Sequence, residues 1–173
     1  MKKFQIVILH LLIFLIALPS TYLALEPNQP APTFIGKFMN GSGTESDYYS
    51  LSLNPDKIRV LNLFWTECIP CRKEIPEIAT LEKKFPAVEF ILANVFQEDE
   101  AVVKNFLKGL SAHPSKVVIS SPVIRRRFKR AEDSDLLMPT TIIIGAGNRI
   151  IKAFYGYDKK LIENISTILM ENE

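Results

Sequence analysis

Cys68 and Cys71 are the only two cysteines of the chain, and they stand with two residues between them in "FWTECIPCRKEIPEI". The lone tryptophan, Trp65, precedes them and an acid, Glu74, follows. Thiols at this spacing can close a structural disulfide, supply part of a metal site, or exchange disulfides with another protein. Exchange runs through a thiolate, so the sulfur held in the more stabilising surroundings attacks first. The sequence places Cys68 after a buried strand and at the opening of a helix. There, unpaired backbone N–H groups and the positive end of the helix dipole favour a negative sulfur. Cys68 is therefore the expected attacking group. Cys71, in the first turn and closer to the helix axis, is expected to resolve a mixed disulfide formed at Cys68. Pro70 between them is tolerated because a first turn has no intrahelical acceptor for the N–H it lacks.

A zinc site needs two further ligands. The histidines are His10, near the N-terminus, and His113, in a loop, and no other cysteine exists. Metal is poorly supported, and no cofactor is expected. An inert clasp is the stronger competitor, but a disulfide closing so short a loop removes little entropy from the unfolded chain. C-x-x-C at a strand-to-helix junction, in an alternating strand and helix pattern, favours redox work.

The elements that must carry these thiols begin at Ile58. "IRVLNLFW" is short, β-branched and aromatic, as a buried strand should be. In "RKEIPEIATLEKKF" the apolar residues Ile75, Ile78, Leu81 and Phe85 recur at helical spacing, with Pro76 expected to bend the early turns. "VEFILANV" reads as a second strand, and "EDEAVVKNFLKGL" as a second helix with acids at its start. "KVVIS" is a strand or an extension of the sheet edge. "TTIIIGAGNRIIKAFYG" makes two strands joined at "GAGN", and "DKKLIENISTILMEN" closes the chain as an amphipathic helix. "GKFMNGSGTESDYYSLSL" fits a small hairpin or irregular edge ahead of the core. Alternation of the first strands and helices predicts parallel pairing, and the late hairpin adds antiparallel strands to the same sheet.

The chain opens "MKKFQIVILHLLIFLIALPSTYLALEP", two lysines and then an apolar run. Residues 1–25 are expected to be a signal peptide or an uncleaved membrane anchor, the anchor being favoured because Tyr22 disfavours cleavage after Ala24 and the run can span a bilayer. Residues 26–33, with three prolines, read as a linker, and 34–173 as one domain. The body then lies outside the cytoplasm, where a cysteine pair favours a disulfide. Without Lys2 and Lys3 the chain has 19 basic against 19 acidic side chains, so nucleic acid is not an expected partner. The run "RRRFKR" at 125–130, followed by Glu132, Asp133 and Asp135, reads as a solvated helix face with its own counter-ions.

"VLNLFWTECIPCRKEIP", "MPTTIII" and "GNRI" together resemble the thioredoxin superfamily, in particular the exported TlpA and ResA type of thiol-disulfide oxidoreductases. The resemblance spans roughly residues 30 to 173 and implies a thioredoxin-like α/β fold, a central mixed β-sheet flanked by helices. It matches Pro139 to a cis-proline facing the cysteines and Met138 to a backbone partner for an extended substrate segment. Glu74 matches an acid characteristic of this group, placed to shift a cysteine pKa or relay a proton. Trp65 is a candidate substrate contact, with core packing as the alternative. Three departures stand out: Asn62 replaces a buried aspartate, Glu67 the usual tryptophan, and Leu137 a common glycine.

The resemblance implies a protein-disulfide oxidoreductase of the cell envelope, on the periplasmic or extracytoplasmic side. Its expected partners are protein substrates with disulfides or thiols, as in cytochrome c maturation, and a membrane thiol-disulfide electron donor. "CIPC" leaves the direction of electron flow open. An oxidant of secreted thiols and a non-catalytic binding module remain the alternatives, the first weakened because Ile69-Pro70 carries neither positive charge nor histidine.

Overall fold

The computed structural model describes residues 25–39, 47–120, 122–130 and 132–172. Apart from Leu25, the expected leader lies outside the described residues, as do residues 40–46. Among the described residues no helix is long and apolar enough to cross a membrane.

The sheet is built around β3 (Arg59–Phe64), in which all six side chains are buried. It pairs in parallel with β4 (Glu89–Asn94) on one side and antiparallel with β6 (Thr140–Gly145) on the other. β5 (Lys116–Ser120) lies parallel to β4, and β7 (Arg149–Tyr155) antiparallel to β6. The hairpin expected before the core is β1 (Ile35–Phe38) with β2 (Tyr48–Ser50), and β1 joins the sheet antiparallel to β5. The order is β2-β1-β5-β4-β3-β6-β7, a mixed sheet of the thioredoxin-like kind. "KVVIS" is thus an internal strand rather than an edge.

Period-two alternation on β3 sorts its side chains onto two faces. Val60 and Phe64 meet α1 (Cys71–Lys84), α2 (Glu100–Lys108) and α4 (Leu161–Asn172), while Leu61 and Leu63 face the cluster that includes Ile124 and Phe128 of α3 (Val123–Phe128). Ile75, Ile78 and Leu81 form the buried stripe of α1. Each such side chain contributes about 1.5–3 kcal/mol on leaving water. The helix runs on through Pro76, and Lys83 and Lys84 in its last turn face the negative end of its dipole. The "GAGN" turn takes positive φ at Gly147 and Asn148, 69° and 55°. Residues 28–31 are tied to this corner: Asn28 N–H donates to the Ile150 carbonyl and Ala31 N–H to that of Asn148.

Candidate active site

β3 delivers the chain to the cysteines. After Phe64 a tight turn closes with Cys68 N–H donating to the Trp65 carbonyl at 3.2 Å. Cys68 and Cys71 form a disulfide. The helix begins at Cys71, with Pro70 as its N-cap, rather than at Cys68 as the sequence implies. A residue preceding proline is disfavoured in helical conformation, so Ile69 prevents the helix from running back to Cys68. The consequence is chemical. Arg72 N–H bonds the Ile69 carbonyl, and the N–H groups of Lys73 and Glu74 bond that of Pro70. Cys71 N–H points instead to the Cys68 sulfur at 3.2 Å. A donor so placed favours a thiolate at Cys68. Cys68 retains 4% of its surface and Cys71 none, so an incoming disulfide can reach only the first of the pair.

Glu74, one turn after Cys71, is buried against the sheet with 1% of its surface exposed. Its Oε1 accepts from Asn62 Nδ2 at 2.7 Å and from the Thr141 hydroxyl at 2.6 Å. Asn62 Nδ2 also donates to Thr141 Oγ1 at 2.8 Å. These contacts follow from register: Asn62 and Thr141 are cross-strand partners whose side chains turn towards α1. Burial pushes the Glu74 carboxyl up to about 7, the bonds from Thr141 and Asn62 pulling the other way and the nearby Glu77 adding a smaller upward push. Glu74 Oε2 and Asn62 Oδ1 are buried and accept no hydrogen bond. Two unmatched acceptors disfavour the ionised form, and a proton on Glu74 removes one of them.

The Met138–Pro139 peptide bond is cis. Met138 packs against the apolar cluster that holds both cysteines, as does Trp65. Leu137, standing where a glycine was the expected pattern, is exposed, and its carbonyl accepts the Thr140 hydroxyl at 2.5 Å. The Pro139 carbonyl is fixed by Gly156 N–H at 2.7 Å. Gly156 has φ 76°, a conformation that glycine alone adopts freely. Trp65 is half-buried and stacks on Phe96, ring centroids 4.8 Å apart.

The Arg125 guanidinium lies 4.0 Å from the centre of the Phe96 ring and pairs with Asp135, while Arg130 pairs with Glu132 and Asp133. The basic run therefore brings its own counter-ions, as its sequence context implies. His113 hydrogen-bonds the neighbouring Pro114 carbonyl. Among the described residues no group of three or more His, Cys, Asp and Glu side chains could hold a metal ion.

Sequence reasoning did not find Thr141 as a partner of Glu74, nor Glu98, whose carboxylate bonds Thr66 in the cysteine loop. For Thr141 a signal existed: a hydroxyl two residues after Pro139, on a strand expected to lie in the same sheet. Glu98 gave a misleading one, because "EDE" reads as acids favoured at a helix start, whereas α2 begins only at Glu100.

The Redoxin family model matches residues 26–169. Thiol-disulfide oxidoreductase ResA of Bacillus subtilis is 29% identical over 137 residues, which are 77% of this chain and 69% of that protein. The structure of a thiol:disulfide interchange protein of the thioredoxin family from Chlorobium tepidum TLS superposes with a TM-score of 0.65 at 26% identity, covering 85% of this chain and 97% of that one. StoA from Bacillus subtilis shares the fold at 21% identity, with a TM-score of 0.55 over 82% of this chain and 98% of that one.

Proposed function

Because the chain belongs to the Redoxin family and is a protein-disulfide oxidoreductase, we propose that it works as an exported reductase of envelope-protein disulfides. Its N-terminal segment holds it to the membrane on the extracytoplasmic side. The support for export is the sequence of residues 1–25, two lysines and an apolar run. Its clients are disulfide-bearing envelope proteins, such as an apocytochrome c awaiting haem attachment.

The Cys68 thiolate attacks one sulfur of a client disulfide; a mixed disulfide forms and the other client sulfur leaves as a thiolate. Cys71 then loses its proton and attacks the Cys68 sulfur. The client sulfur bound to Cys68 leaves as a thiolate, and the Cys68–Cys71 pair, now a disulfide, has given two electrons to the client. Glu74, buried one turn from Cys71 and titrating near neutrality, takes the Cys71 proton. Met138 and Trp65, packed on the apolar cluster that holds both cysteines, and Pro139 next to Met138 receive the client segment. A membrane thiol carrier returns the two electrons.

The observation that carries the exchange chemistry of this reading is the asymmetry of the pair, Cys68 reachable and supported by Cys71 N–H, Cys71 enclosed. A Cys71→Ser chain should accumulate a mixed disulfide with client proteins through Cys68, and Cys68→Ser should trap none. Equal trapping by both variants would contradict the assignment.

A further inference from the structure

The Glu98 carboxylate has no part in the exchange above, yet it is directed at the cysteine loop. Its Oε2 accepts the backbone N–H of Thr66 at 2.9 Å and its Oε1 the Thr66 hydroxyl at 2.5 Å. One carboxylate thus holds one residue through both oxygens, fixing its rotation as well as its place. Asn94, fully buried at the end of β4, anchors the acid: its Nδ2 donates to Glu98 Oε2 at 2.6 Å, and its Oδ1 accepts Glu98 N–H at 3.2 Å. Ser120 on β5 fixes Asn94 in turn, donating its hydroxyl to the Asn94 carbonyl at 3.1 Å.

Phe96, two residues before Glu98, stacks on Trp65. Gln97 between them has φ 53°, a left-handed bend in the connection between β4 and α2. That one connection therefore grips Trp65 and Thr66, the residues that start the turn closed by Cys68 N–H on the Trp65 carbonyl. From the other side Arg72, its guanidinium 4.5 Å from the Phe106 ring centre, approaches the Thr66 carbonyl at 3.5 Å. Thr66 is 8% exposed, so water offers its N–H little replacement if the carboxylate is removed.

We propose that Glu98 is a positioning residue for the thiol-disulfide exchange: by clamping Thr66 it fixes the Trp65–Cys68 turn and holds the Cys68 sulfur on Cys71 N–H. It acts through Thr66, and it sets how readily Cys68 becomes a thiolate. The inference rests on Cys68 being the attacking sulfur.

The test is the rate of iodoacetamide alkylation of the reduced full-length chain at pH 7, with the labelled residue found by mass spectrometry. Wild type, Glu98→Ala, Glu98→Gln and Thr66→Val are compared, and thermal unfolding of each disulfide form checks that it folds. Glu98→Ala should slow labelling of Cys68 about tenfold, the kinetic scale of one lost charge-assisted hydrogen bond. Glu98→Gln, which keeps an oxygen for Thr66 N–H and an amide for the hydroxyl, should stay within about threefold of wild type. If Glu98→Ala does not fold, Thr66→Val decides: slowing of about threefold supports the clamp and a wild-type rate overturns it. An unchanged rate in folded Glu98→Ala also overturns it, as does acceleration in both Glu98 variants, which would mean that the charge acts on the sulfur directly. Label on Cys71 in the wild type would instead sink the assignment of the attacking sulfur.

Discussion

Thr141 on β6 donates its hydroxyl to Oε1 of Glu74 on α1 at 2.6 Å, across a sequence separation of 67. The bond couples the strand that follows the cis-proline to the helix that follows the cysteines. It is also one of two donors that keep a buried carboxylate ionisable near neutral pH, since burial alone drives Glu74 upward and the Thr141 and Asn62 bonds oppose it.

Thr141→Val should therefore raise the Glu74 pKa above its value of about 7, because it removes the larger of the two lowering bonds. If Glu74 accepts the proton of Cys71, the alkaline rise in the rate of mixed-disulfide resolution should move up by about one pH unit. Stopped-flow rates from pH 5 to 9 check this. A profile that stays in place or moves to lower pH contradicts the coupling.

Glu74→Gln isolates the same group through stability. The folded-state pKa of about 7 lies above the ordinary value of 4.5, so the folded protein binds the proton more tightly than the unfolded chain does. The stability that Glu74 contributes is then fully present below about pH 4.5 and falls away as pH rises to about 7, by an amount on the order of 3 kcal/mol. Glu74→Gln should remove that fall, so urea unfolding of the disulfide form at pH 5 and pH 8 should differ less in the variant. Equal pH dependence in both proteins would show that Glu74 is not the titrating group.

At the far end of β3, Arg59 is wholly buried. It pairs with Glu89 at 3.1 Å, donates to Asn148 Oδ1 at 2.5 Å, and bonds the Leu53 and Asn54 carbonyls. Arg59→Ala removes every bond of a buried guanidinium but leaves Glu89 paired with Lys116 and Tyr49, and should cost about 2–3 kcal/mol. The labelling rate of Cys68, at the opposite end of the strand, should change by less than about twofold, because distant sites without shared partners act independently. Urea unfolding and alkylation of the same preparation test both halves; a loss below about 1 kcal/mol would contradict the structural role.

The sheet and helices were legible because their signals are dense and local. The short β-branched and aromatic run "IRVLNLFW" marks β3, and the apolar stripe from Ile75 to Leu81 marks α1. The "GAGN" turn announces the last hairpin through residues that accept positive φ. The cysteines could be singled out by type and spacing alone, and Glu74 through the family resemblance together with its place one turn after Cys71. The start of α1 was misplaced because the effect of Pro70 on Ile69 competes with the helical reading of Cys68. Thr141 and Glu98 act across 67 and 32 residues of sequence, and no local pattern encodes which donor a buried carboxylate will meet. Asn62 was visible as a departure, but its bond to Glu74 depends on strand register, which only the assembled sheet fixes.

The most direct test of a dithiol reductase is the midpoint potential of the Cys68–Cys71 couple, titrated in defined thiol buffers and followed by the fluorescence of Trp65, the one tryptophan. A reductase of client disulfides requires a midpoint near that of thioredoxin, about −270 mV. A midpoint near about −120 mV, where strong oxidants lie, would reverse the direction of electron flow and contradict the proposed function.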